Sequence, residues 1–555
     1  SAHRGTYTSQ AMIKQNNRRS ELAMREMELW SSLAMTKGME YELSKADALW
    51  KEVLLHQFHD ILPGSSIARV YVEAEKAHKA IQKGAGELKE KAFAALADQA
   101  DERAVTVWNS LSFERTALVE LPERFAGGAR TLEGEIVPVQ KVNVPVQKVE
   151  NGGGASENAD TVVKAFVTLP SCGAVSLIPE ERKASSGEAE KGSASTGSET
   201  AAKDGGSANL KVTVKESPEG FVMENAKVKA VVNGRGEVIS FVLKSSGREF
   251  AAEPMNRFRL YKDVARLFDA WDIDSNYIHQ EVEALTEAKV ESISEGLEGV
   301  LKLSGRISGS RIEQYIRLEA ESDRLVFDTE IDWKELHRLL KTCFPVDVYA
   351  ENGINEMQFG FVERPAHRSK PYDKDRFEVC NHHYSAFCDG VHGAAVLNDC
   401  KYGISMNGNA LELTLLRAPS CPEMQADNRV HHFTYAFTAW EGSFADSDVV
   451  RQGYELNVKP QISGGAVDTF SAVTIDKANV ILDTMKPAED GSGDIILRLY
   501  ESKKAAITAK VRSMFGEKAY LCDMLENVTE EVPVENREMT LSFRAFEVKT
   551  VRIKR

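Results

Sequence analysis

The chain of 555 residues has no apolar stretch approaching the ~20 residues a membrane span requires, so no membrane partner is expected. It has no run of lysines and arginines, and its net charge is −15. A phosphate backbone is held by clustered cations, so nucleic acid is not an expected partner either. The opening SAHRGTYTSQ lacks the apolar h-region of a signal peptide. Cysteine is sparse: seven residues between Cys172 and Cys522, odd in number and without paired spacing. That argues against a disulfide framework and for a reducing compartment, so the expected location is the cytoplasm. The first residue is Ser1 rather than Met, and a processed or internal start is expected.

What is present is ordinary for a soluble globular protein: 42% hydrophobic and 28% charged residues. The length suits roughly three to five domains at about 100–200 residues each. An acidic balance favours a neutral or cationic substrate, although it often serves solubility alone. Apolar residues Leu22, Met27, Trp30 and Leu33 recur at helical intervals between Ile13 and Thr36. A second helix is expected from Ser44, as N-cap, to Phe58, with Ala48, Leu49, Val53 and Leu54 as its buried stripe. Pro63 and Gly64 interrupt it, and a third helix runs from Ser66 past Lys91. Residues 1–100 thus read as a three-helix bundle.

At Val105 the period changes from helical to alternating, with VTVWNSLSF and TALVELP as the first strands. KVKAVVN, VISFVL, RLVFDTEID and IILRLY continue the alternation, separated by Gly, Asn and Asp. The absence of βαβ alternation excludes a Rossmann or (β/α)-barrel unit, leaving antiparallel β-sandwiches. The division is a small sandwich at 101–182, a low-complexity loop at 183–207, a large sandwich at 208–455 and a small β domain at 456–555. The loop is too poor in apolar residues to offset the entropy of ordering and is expected to be flexible. The fold class is therefore α then β: a helical bundle followed by antiparallel sandwiches of supersandwich type.

Chemistry is scarce. His56 and His59 stand three apart at the end of the second helix, with Asp60 next, in HQFHDILPGSS. A helix end before a turn can present an imidazole to a metal and a carboxylate to a polar ligand. On spacing alone the same residues read first as bundle packing and C-terminal polarity, since zinc needs roughly three or four ligands. Cys380, His382, His383, Cys388, His392 and Cys400 include zinc-type donors but lack knuckle spacing, and small core cysteines are common in strands. LFDAWDIDSNY, with Trp271 between Asp269 and Asp272, has sugar-stacking character; the alternative is a packed Trp with carboxylates bonding loop amides. Arg364, Arg368 and Arg376 alternate with acids as interdomain ion pairs do. No two carboxylates identify themselves as general acid and nucleophile.

Several segments resemble family 38 glycoside hydrolases, the class II α-mannosidases: HRGTYTSQAMIKQNNRRSE (3–21), LLHQFHDILPGSSI (54–67), VWNSLSFER (107–115) and WKELHRLLKTCFPVDV (333–348). QFGFVERPAHR (358–368), RFEVCNHHYSAFCDG with GAAVLNDCKYGIS (376–405), LLRAPSCP (415–422) and ILDTMKPAEDGSGDIILRLYE (481–501) follow in the family's order. The resemblance implies a retaining, metal-dependent hydrolase of α-mannosides, with a divalent metal, usually zinc, on the sugar's vicinal hydroxyls. It implies His59 as one metal ligand and Asp60 as a hydrogen-bonding partner of mannose. His3 lies where some members line the mannose subsite with an aromatic residue, and Tyr7 and Arg417 fall in segments that approach the cleft. The other metal ligands, the nucleophile and the general acid belong to the family's preceding barrel, which this chain does not include. The chain alone is accordingly expected to be inactive, to hold little zinc and to expose the face that meets the barrel; a homo-oligomer stays open. The competing readings are a non-catalytic carbohydrate-binding or scaffold module, and a β protein with structural zinc in the Cys380–Cys400 segment.

Overall fold

The computed structural model describes residues 3–144, 160–180 and 210–555; the low-complexity stretch 183–207 lies outside them. Three helices come first: α1 (Ala11–Met35), α2 (Leu43–His56) and α3 (Ala68–Leu96). α1 is not an amphipathic surface helix. Apolar Ile13, Met24, Met27, Trp30 and Leu33 are buried, and so are Lys14, Arg18, Ser20, Glu26 and Glu28. A helix buried on all sides is enclosed by neighbours. Met24 and Met27 meet Val53 of α2 and Ile81 and Leu88 of α3. Leu29, Trp30 and Leu33 join Phe93, Trp108 and the C-terminal strands in a second core. The polar residues are paired, as buried polar groups must be: Arg18 donates to the Tyr402 hydroxyl at 3.0 Å and to the carbonyls of Asn398 and His382 at 3.1 and 2.9 Å.

α2 departs from the stripe read in its sequence. Ala46, Val53 and His56 are buried and Leu49 is half-buried, while Ala48 and Leu54 face solvent. His56 takes the inward position because its ring packs 5.3 Å from that of His78 on α3, and its Nδ1 pairs with the Glu52 carbonyl at 2.8 Å. No helix among the described residues is long and apolar enough to cross a membrane.

Every strand pairing described beyond Val105 is antiparallel, and the sheets stack as sandwiches, so the helix-then-sandwich architecture is the one expected. Val105–Asn109 lies between Gly173–Pro179 and Gln461–Gly464. The chain around 461–471 therefore returns to the sheet built by 105–179, across the division placed near 456. The largest sheet has nine strands, running from Leu285–Ser294 at one edge to Gly360–Pro365 at the other. Its inward residues, Ile312, Ile316, Leu318 and Phe327 among them, share one core with Leu340, Leu413 and Leu415 of a six-stranded sheet. Along Ser310–Glu319 burial alternates residue by residue, as a sandwich face requires. Of the last two sheets, the five-stranded one meets α1 through Leu482, Leu497 and Val551, and Val511 and Leu541 of the four-stranded one join the same core.

Candidate functional site

α2 ends at His56, and the chain turns through Phe58–Gly64, with Ile61 and Leu62 amides on the Phe58 carbonyl and Gly64 on that of Ile61. The turn projects His59 and Asp60 outward together. Their side chains are 75% and 43% exposed, and His59 Nε2 lies 3.2 Å from Asp60 Oδ2. The other carboxylate oxygen, Oδ1, accepts from the Ser65 hydroxyl at 2.8 Å. The Asp60 carbonyl accepts from Ser66 Oγ at 2.8 Å and Tyr71 Oη at 3.2 Å, while Tyr71 Oη accepts from the Ser66 amide at 2.6 Å. The GSS that follows the proline thus orients Asp60 by both its side chain and its backbone. Ser65→Ala is expected to cost about 1 kcal/mol, the net value of one ordinary hydrogen bond. Chemical denaturation measures it, and an unchanged midpoint would show that the bond is not held in solution.

The N-terminal segment is laced to this turn. Buried Lys14 donates from Nζ to the Ser9 carbonyl and, at 2.9 Å, to the Leu62 carbonyl inside the turn. Burial pulls its ammonium down to about 7, against the attraction of buried Asp427, whose own carboxyl burial pushes up. Asp427 accepts from the Gln10 and Ala11 amides at 2.8 Å each, closing the start of α1. His3, in left-handed backbone at φ 72°, donates its amide to Asp272 at 2.5 Å and leaves its side chain 57% exposed. Tyr7, with Lys14, Gln57, Leu62 and Pro63, lines a cavity of about 320 Å³ behind the turn. A second cavity of about 300 Å³ shares Glu21, Gln57, Gln358 and His382 with it and reaches Tyr454, Asp483 and Tyr500.

Arg417 is fully buried. Its Nε meets Asp263 at 2.7 Å, Nη1 the Ser9 hydroxyl and Ala270 carbonyl at 2.9 and 3.2 Å, and Nη2 the Asp269 and Asp272 carbonyls at 3.0 and 2.8 Å. All five guanidinium donors are thus taken inside the protein, so Arg417 has none left for a sugar. It ties the 269–272 loop to the N-terminal segment. In that loop Trp271 is half-buried and Asp269 accepts from the Ser420 amide at 2.7 Å, so the carboxylates bond amides.

The Cys380–Cys400 segment does not converge on a single point. Cys380 Sγ bonds the Asn381 carbonyl, Cys388 Sγ that of Gly442, and His392 pairs with Asp389. Only His382 and His383 come together, on buried Glu356, which sequence reasoning passed over. Burial opposes its charge, but the two imidazoles outweigh that and hold the carboxyl below its ordinary range. Burial also lowers His382, to about 4.

Comparison with known proteins sets these features in context. The model of the α-mannosidase middle domain matches residues 1–96. The family 38 glycosyl hydrolase C-terminal domain matches 223–425, and the C-terminal β-sandwich domain of that family matches 479–551. The human protein named alpha-mannosidase 2C1 is 31% identical over 98% of this chain and 49% of its own length. Alpha-mannosidase G of Dictyostelium discoideum is 29% identical over 99% of this chain and 52% of its own. The chain therefore spans about half the length of these curated relatives. The crystal structure of an α-mannosidase from Enterococcus faecalis V583 superposes with a TM-score of 0.78 at 14% identity, covering 99% of this chain and 68% of that one, which establishes a shared fold.

Proposed function

The chain carries the middle and C-terminal domains of family 38 glycosyl hydrolases, and on that premise we propose that it forms one wall of the active site of a retaining, metal-dependent α-mannosidase acting on terminal α-mannosides of glycans. The observation that carries this reading is the pairing of His59 and Asp60, exposed side by side on a braced turn whose Leu62 and Pro63 line a cavity. In it His59 supplies one ligand to a divalent metal, which would bind the sugar's vicinal hydroxyls. Asp60, fixed by Ser65, Ser66 and Tyr71, accepts hydrogen bonds from mannose. Tyr7 lines the cavity, and His3 stands exposed beside Asp272 in the same N-terminal segment. Arg417 acts through the loop it secures. Seven free cysteines fit a cytoplasmic setting.

His59 suits such a metal, but no group of three metal-ligating side chains among the described residues includes it. Zinc needs roughly three or four ligands, so the remaining ligands, the nucleophile and the general acid are assigned to a catalytic barrel outside this chain. The test is an aryl α-mannoside assay with zinc, run on the protein as its gene encodes it and on the 555-residue chain. The first is expected to turn over in a metal-dependent way and to lose metal affinity with His59→Ala; the second is expected to be inactive. Turnover by the 555-residue chain at the rate of an intact enzyme would refute the division of labour. Absence of activity in both would favour a non-catalytic glycan-binding module.

Around the turn, Leu54, Leu55, Phe58, Ile67 and Val72 are each more than half exposed. Clustered apolar surface on this scale marks an interaction face, and the barrel is its proposed partner. The isolated chain is expected to enhance the fluorescence of a hydrophobic dye, and Leu55→Lys with Phe58→Lys to reduce it. Equal dye signals from the two would remove this face from the proposal.

A further inference from the structure

On the β side of the second cavity, three donors converge on one point. Glu356 is the penultimate residue of the strand Asn352–Met357, and His382 and His383 immediately precede the strand Tyr384–Cys388. These strands pair antiparallel with Asn355 opposite Ser385, and that register carries the Glu356 carboxylate to the two histidines. His383 Nδ1 lies 3.0 Å from one carboxylate oxygen and His382 Nδ1 3.5 Å from the other. The ligating atoms of all three lie within 4.8 Å of one another. We propose that Glu356, His382 and His383 form a second divalent-metal site, suited to zinc or cobalt(II) and separate from the His59–Asp60 corner.

Four features favour a metal over a plain hydrogen-bonded cluster. Two imidazoles and one carboxylate are the donor set that borderline first-row cations prefer, and three protein ligands with a free position describe an open zinc site. The group is not sealed: all three residues line the cavity of about 300 Å³, which Tyr454, Asp483 and Tyr500 also face, so a fourth ligand has room. The donors are pre-oriented, since the His383 amide donates to the same carboxylate and the Asn398 amide holds the His383 carbonyl at 2.8 Å. Such supporting bonds are what fixes metal ligands elsewhere. Lastly, the imidazole centroids are only 4.1 Å apart, and both Nδ1 atoms point at one carboxylate. One divalent cation between the three satisfies both nitrogens at once, in place of two separate N–H donors on one carboxylate. The opposing charges are Arg18, whose guanidinium bonds the His382 carbonyl on the backbone side, and Arg25, which lines the same cavity. Glu21 and Asp483 line the same cavity and offset them.

The experiment uses the purified 555-residue chain, stripped with chelator and titrated with cobalt(II), followed by visible absorption and by calorimetry, with zinc as competitor. The expected result is one equivalent bound, with a ligand-field spectrum that zinc abolishes. His383→Lys sets an ammonium against Glu356 but removes a ligand, so it should fold and lose affinity at least tenfold; His382→Asn should do the same. His59→Ala should leave this binding intact, which separates it from the site of the proposed mannosidase reading. No stoichiometric binding by the wild-type chain overturns the proposal, and so does binding that survives His383→Lys or disappears with His59→Ala.

Discussion

Arg417→Ala is expected to destabilise the chain by about 3–5 kcal/mol, the cost of removing one partner from a buried charged pair. The side chain is fully buried, and Asp263, also buried, receives its Nε at 2.7 Å. Truncation leaves that carboxylate without its cation and strips the Asp269 and Asp272 carbonyls of their Arg417 donors, while the Ala270 carbonyl keeps the Ser9 hydroxyl. A domain is stable by only about 5–15 kcal/mol, so the loss is a large share of the total. Arg417→Lys keeps the charge but cannot span three carbonyls and a carboxylate, because an ammonium lacks the planar fork; its loss should be smaller than alanine's. In urea the earliest unfolding transition should move to lower denaturant in the order wild type, Lys, Ala. In a double-mutant cycle Asp263→Asn should couple to Arg417→Ala, since the two share one bond. Additive losses would mean that Arg417 acts through its carbonyl contacts alone.

How far such features were legible in the sequence depended on their range. α1 was visible because its apolar spacing is local, and the antiparallel sandwiches because strand alternation is local too. The stripe of α2 was misread: Leu54 is more hydrophobic than His56, yet Leu54 is exposed and His56 is buried against His78. Hydrophobicity ranks the tendency to be buried, while the neighbour on α3 decides the case. Glu356 escaped notice because 26 residues separate it from His382 and only the register of two paired strands brings them together. Arg417 carried a usable signal, since it closes the run ALELTLLR, whose last seven residues are buried. A charge at the end of a strand buried on both faces points to internal pairing. The HDILPGSS turn was legible as a turn, but not its bracing, because Lys14 reaches the Leu62 carbonyl from another helix.

That bracing sets the size of the second large effect. Gly64→Ala is expected to cost about 2–5 kcal/mol, combining about 1–2 kcal/mol for left-handed backbone with about 1–3 kcal/mol for overpacking. Gly64 has φ 90°, and a Cβ there would stand 2.2 Å from the Ser9 carbonyl oxygen. Relief would require Ser9 to move, but its carbonyl holds Lys14 and its hydroxyl both donates to Ala270 and accepts from Arg417. The clash is therefore met by backbone that three other bonds fix in place. Gly38 supplies the control: its φ is 88°, yet nothing lies within 4 Å of where its Cβ would be. Gly38→Ala should show the backbone cost alone, and the excess for Gly64→Ala measures the clash. If the two variants unfold at the same urea concentration, the turn yields without strain. Where Gly64→Ala still folds, the Leu62 carbonyl must shift away from Lys14, and His59 and Asp60 shift with the turn. On the function proposed above, the protein as its gene encodes it should then lose more turnover of an α-mannoside than global unfolding explains.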